Sequence, residues 1–192
     1  MSPVVRIWLG FAALGAALIH LAVGVTAPLP LSVLLVGFGI AELGWGIATL
    51  AAGRVLMPRV IVGAALIPVF IWGTTAVLGS SLGVTSGQTG LPLYPMAIAS
   101  LFNVFLAATV AIALRRSPAG PPTPATPSTS EAGASTPSGW RFLTGLVVGG
   151  FLLSALTTPA LAATEVGSHA VPHGSHGSHG VTELTIPGHG AH

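Results

Sequence analysis

The sequence predicts an all-α membrane protein. Its parts are a four-helix bundle of two repeated helical hairpins, a fifth transmembrane or signal-like helix, and a disordered histidine-rich tail. Three observations carry this. Only 5% of the 192 residues are charged while 52% are hydrophobic. Soluble domains carry about a quarter charged residues, so this chain has no means of making a solvated surface, and its mean hydropathy is +0.86. Five apolar stretches, at roughly 5–26, 31–53, 58–80, 94–114 and 141–163, reach the about 20 residues that a helix needs to cross a bilayer. Finally, six of the seven histidines follow the last stretch, among Gly, Ser and Pro.

These stretches divide the chain into four parts. Residues 1–116 form the four-helix membrane bundle. Residues 117–139 contain Pro118, Pro121, Pro122, Pro124, Pro127 and Pro137 among Ser, Thr, Ala and Gly, a composition with no apolar face to bury and hence a cytoplasmic linker. Residues 140–163 are the fifth segment and 164–192 an external tail. In the bundle, Gly10, Gly15, Gly37, Gly39, Gly44 and Gly46 permit close helix approach and argue against a wide pore. Pro68 interrupts the third span and predicts a kink.

Charge placement gives the orientation. All six cations are arginines. Arg6 precedes the first span, Arg54 and Arg59 join the second to the third, Arg115 and Arg116 follow the fourth, and Arg141 opens the fifth. The other two turns, 26–31 and 80–93, carry no charge. The positive-inside rule therefore predicts a multi-pass protein of a bacterial plasma membrane with a cytoplasmic N-terminus and an extracellular C-terminal tail. Trp8 and Trp140 are expected at the inner interface, where indoles are favoured. The basic pI of about 10.6 reflects these few arginines; no patch is dense enough for nucleic acid. The chain has no cysteine, which excludes disulfides and thiolate metal sites.

The two hairpins echo one another. Gly24-Val25-Thr26 with Leu29-Pro30-Leu31 recurs as Gly83-Val84-Thr85 with Leu91-Pro92-Leu93, and Leu31-to-Arg54 equals Leu93-to-Arg116 in length. Two hairpins of the same topology imply a parallel repeat about an axis along the membrane normal. His20, the run Glu42-Leu43-Gly44-Trp45, Ile71-Trp72 and Gly90-Leu91-Pro92-Leu93 together resemble uncharacterised small multi-spanning membrane proteins of high-GC actinobacteria. The resemblance covers about residues 1–116 and implies a membrane bundle but no activity. It departs at Thr74, Thr75, Gln88 and Asn103, where such proteins carry more charge, so it transfers no ion chemistry.

Intramembrane ionisable groups are costly, which makes them functional candidates. His20 and Glu42 are the two in spans one to four. Counted from the outer helix ends, His20 lies about 9 Å deep, Glu42 about 16 Å and Asn103 about 15 Å. Packing of the hairpins would bring the three together in the outer half of the bundle, to relay a proton, hold a cation, or join helices by hydrogen bonds. Phe38, Glu42, Trp45 and Thr49 share one helix face, which directs Glu42 inward beside Trp45.

Two readings of the fifth segment stand. As an anchor, it brings Gly145 and Gly149 at the spacing of close helix pairs, onto the bundle or onto a homo-oligomer or membrane-complex partner. As a signal-like segment, it has Arg141, an apolar core of residues 142–156, and Ala160 and Ala162 in the Ala-x-Ala pattern of a signal-peptidase site. Beyond it, His169, His173, His176, His179, His189 and His192 present imidazoles on a glycine-rich chain, which suits Zn or Cu(II). No catalytic constellation accompanies them. The sequence thus predicts a non-catalytic membrane protein whose external tail binds or buffers a divalent metal ion. The alternatives are a structural or assembly subunit without ion chemistry, and a small proton- or cation-coupled transporter using His20 and Glu42.

Overall fold

A computed structural model describes residues 1–83, 90–116 and 139–170 of the chain. Every regular element among them is a helix: α1 (Pro3–Gly24), α2 (Leu29–Ala52), α3 (Pro58–Ser81), α4 (Leu93–Arg116), α5 (Gly139–Ala162) and the single turn α6 (Glu165–Ser168). The first five are long and apolar enough to cross a membrane.

Their ends differ by a few residues from the hydropathy limits, because capping chemistry sets them. Ser2 caps α1 by accepting from the Val5 amide, with Pro3 opening the first turn, where its missing N–H costs nothing. α2 ends on Gly53 at φ +61°, the left-handed conformation that glycine adopts freely. α4 runs on through Arg115 and Arg116, cations that sit well at the negative end of a helix dipole. α5 begins at Gly139, taking in the last residue of the expected linker. The remainder of the linker lies outside the described residues.

α1 is the central helix. The most apolar 18-residue window of α1 is 61% buried, against 11% for that of α3. α2, α4 and α5 all pack on α1, and α3 packs on α4. Small residues make this possible. A Cβ placed on Gly39 would lie 3.1 Å from the Ala17 carbonyl, and one on Gly46 3.3 Å from the Gly10 carbonyl, so α1 and α2 approach almost backbone to backbone. The buried residues of α2 are Leu35, Gly39, Glu42, Gly46 and Thr49. Their alternating steps of four and three make a coiled-coil seam. The face expected from sequence, Phe38 with Glu42, Trp45 and Thr49, is turned slightly: Phe38 and Trp45 flank the seam, half-buried.

α5 lies parallel to α1. Gly145 faces Val4 and Gly149 faces Trp8, each leaving room for a side chain of α1 where a Cβ would sit only 2.7 Å away. Trp8 also donates from Nε1 to the Gly145 carbonyl at 2.8 Å. The indole expected at the interface is thus a clamp between the first and last spans, while Trp140 is exposed. At the far end of α5, Ala160 is fully buried in the core with Ile19 and Val23. Helical hydrogen bonding continues past it, with the Ala163 amide donating to the Pro159 carbonyl.

The helix ends gather in two groups. A cavity of about 590 Å³ is lined by Met1, Ser2, Val55, Pro58 and Arg116, and one of about 390 Å³ by Val23, Thr26, Gly90, Pro92, Thr164 and Glu165. The helix ends beside the arginines share the first, and the root of the tail borders the second.

Gly149→Leu tests the α1–α5 clamp. It should displace the Trp8 indole, lose its hydrogen bond and lower stability by about 1–3 kcal/mol. A lower thermal midpoint in detergent with a red-shifted tryptophan emission is expected; an unchanged midpoint would show that the contact contributes nothing.

Candidate functional site

The α2 seam carries one residue that hydrocarbon does not tolerate alone. Glu42 stands between Gly39 and Gly46, near the middle of α2, and is 7% exposed. The close approach of α1 brings His20 to it: Nδ1 lies 2.7 Å from Glu42 Oε2. On its other side Asn103 of α4 donates from Nδ2 to Glu42 Oε1 at 2.9 Å. His20 and Asn103 are each 1% exposed. The structure therefore brings His20, Glu42 and Asn103 into one hydrogen-bonded cluster that joins three helices.

Elementary proton counting defines what this cluster can do. A single hydrogen occupies the short His20–Glu42 contact. With neutral imidazole beside carboxylate the cluster carries one negative charge. One further proton makes it neutral, as imidazolium with carboxylate or as imidazole with carboxylic acid. In a low-dielectric interior a net charge on such a cluster is strongly disfavoured.

A small cavity of about 80 Å³ adjoins the cluster, lined by Ala13 of α1, Phe38, Glu42 and Trp45 of α2, Ala64 of α3, and Asn103 of α4. Trp45 is oriented by donating from Nε1 to the Leu56 carbonyl at 2.9 Å. Sequence reading missed this cavity, whose walls come from four helices; Pro68 lies one turn beyond Ala64 in α3. Proline has no amide hydrogen, so the usual helical bond to the carbonyl four residues earlier, at Ala64, cannot form. Thr74 and Thr75 spend their hydroxyls on carbonyls of their own helix, Phe70, Ile71 and Trp72.

Of the tail histidines, His169 is described. It pairs with Glu165 one turn earlier, Nε2 to Oε1 3.1 Å, with both side chains exposed, so the pair is worth little. His173, His176, His179, His189 and His192 lie outside the described residues. Among the described residues no group of three histidine or acidic side chains is arranged to hold a metal ion. Ala160 and Ala162 occupy the last turn of α5, Ala160 buried and Ala162 exposed. No protein-family model, curated protein or solved structure matches this chain.

Two substitutions separate a used polar group from an idle one. Asn103→Leu leaves Glu42 Oε1 without its donor and should cost about 1–3 kcal/mol. Thr49 Oγ1 is buried without a partner, so the near-isosteric Thr49→Val should leave stability unchanged or slightly higher. Thermal unfolding of both variants in detergent checks the contrast; equal losses would refute it.

Proposed function

We propose that this chain is a non-catalytic, ion-handling protein of a bacterial plasma membrane. Its site within the bilayer is the proton-holding His20–Glu42–Asn103 cluster, and its external tail is a divalent-metal ligand. The observation that carries the reading is the buried 2.7 Å contact between His20 and Glu42. A carboxylate–imidazole pair in the heart of a membrane bundle is chemically suited to taking up and releasing a proton, which apolar packing never requires. The resemblance of residues 1–116 to small actinobacterial membrane proteins accords with a bacterial membrane.

The orientation follows from the two ends of the bundle. The end carrying the arginines faces the cytoplasm by the positive-inside rule, which puts Glu165, His169 and the tail outside. The tail histidines His173, His176 and His179, with His189 and His192, then present imidazole to Zn or Cu(II) on the outer face. Two duplicated hairpins would account for the similar lengths of α1–α4. α5 acts as an uncleaved anchor in this reading, since Ala160 is helical and buried where a protease needs an accessible chain. The second reading, a subunit that assembles with another membrane protein, is favoured by α3, whose most apolar window is only 11% buried within the chain. Gly145 and Gly149 are filled by α1, so a partner or second copy would seat on α3.

Metal binding is checked on the full chain against a chain ending at Ser168. Zn or Cu(II) should bind the full chain with submillimolar affinity at pH 7.5. Binding should weaken steeply as pH falls below about 6.5, because imidazoles must lose their protons to ligate. Equal binding by the shortened chain would remove the tail from the function. Orientation is checked without background, since the chain has no cysteine. In intact cells, Ser168→Cys should react with a membrane-impermeant thiol reagent and Ser2→Cys should not.

A further inference from the structure

The end of the bundle that carries the arginines is not closed. The cavity of about 590 Å³ at that end is walled by Ser2 and Val5 at the start of the chain, by Val55 and Pro58 around the α2–α3 turn, and by a stripe of α4. In the stripe, Thr109, Ile112, Ala113 and Arg116 stand three or four residues apart and share one helix face. At about 1.5 Å per residue, Thr109 lies about 10 Å deeper in the bundle than Arg116. The cavity thus runs from a cationic mouth to a largely apolar floor, where Val5 packs against the buried Val110 in the core. Ile112 is itself 49% exposed, so the space is open along its side as well as at its end.

The mouth carries charge without a counterion. All six arginines flank helix ends on this side of the bundle. Among the described residues the acids are Glu42 and Glu165, and these pair with His20 and His169. No described acid neutralises Arg116. Its guanidinium offers a planar fork of N–H donors, the geometry that suits a phosphate group.

We propose that this cavity is a binding site for an anionic phospholipid. The lipid phosphate pairs with Arg116 at the mouth, and the upper part of an acyl chain lies along Ile112, Ala113 and Val5. Charge favours this occupant, because an anionic headgroup completes the mouth while a zwitterionic one brings a cation of its own. Size favours it too. The volume falls in the range of about 300–1,000 Å³ that organic ligands occupy, and a free phosphate would leave most of the apolar wall bare. Placement agrees with both, since a basic pocket between helix ends at the membrane surface is where lipid headgroups are held.

The inference uses neither the His20–Glu42–Asn103 cluster nor the tail, and the orientation decides only which leaflet supplies the lipid. The full chain in detergent is mixed with equal amounts of dioleoyl phosphatidylglycerol and dioleoyl phosphatidylcholine, which share their acyl chains and differ in net charge. Native mass spectrometry then reads the lipid each chain retains. The expected result is one phosphatidylglycerol per chain, preferred at least fivefold, a factor of the size that one arginine contributes beside an anionic headgroup. Arg116→Gln should remove that preference. Arg141→Gln removes the same charge from the same end but outside the cavity, and should keep it. Ala113→Phe preserves every charge and fills the floor, and should lower phosphatidylglycerol retention at least fivefold. Inorganic phosphate at fixed ionic strength should not displace the lipid. Equal retention of the two lipids, equal losses in the two arginine variants, undiminished retention in folded Ala113→Phe, or displacement by inorganic phosphate overturns the proposal. Arg116 and Arg141 are both exposed, so their comparison decides if Ala113→Phe does not fold.

Discussion

A carboxyl group in hydrocarbon must find its partners within the protein, because no water is there to solvate it. Much of this bundle is arranged around that requirement at Glu42. Its two oxygens take one partner from α1 and one from α4, so three helices must meet at one level. The glycines one turn to either side let α1 come close enough for a short imidazole contact. Exchange Gly39 or Gly46 for a larger residue and α1 moves away from α2, which strands the carboxylate. Polar satisfaction and close packing are here a single constraint, each supplying the geometry that the other needs.

The spans themselves were legible in the sequence, since twenty apolar residues bounded by arginines or prolines leave few alternatives. Depth counting also brought Glu42 and Asn103 to one level and put His20 in the same outer half of the bundle, because a helix rise of about 1.5 Å per residue is nearly invariant. The centrality of α1 was not legible. All five spans are similarly apolar, and burial in protein or in lipid leaves the same hydropathy signature. The clearest clue lay in the small residues of α1, where Gly10, Ala13, Ala17 and Gly24 meet α2 and Gly15 meets α4 and α5.

Trp8 shows what reading one segment leaves out. Position near a helix start suggests an interfacial indole; the aligned Gly145 and Gly149 of α5 also make a groove for it, and the Gly145 carbonyl accepts from its N–H. A pairwise fit between residues 137 positions apart leaves no trace in either segment alone. The cavity beside Glu42 was hidden for a related reason. Its walls come from four helices, and no one of them shows it alone.

The parallel docking of α5 on α1 also orders the assembly of the protein in time. Of the five long helices, α1 is synthesised before the others and is the most enclosed, and α5 follows the other four. At about 5–20 residues per second, α1 waits on the order of ten seconds for α5. During that interval α2 can already cover the face of Gly10, Ala13 and Ala17, while the side of Val4 and Trp8 awaits its partner. Residues 117–138 separate α4 from α5 along the chain, and α5 starts at the end of the bundle where α1 starts. Maturation of this bundle is therefore a closing step, in which α5 returns to pack on α1.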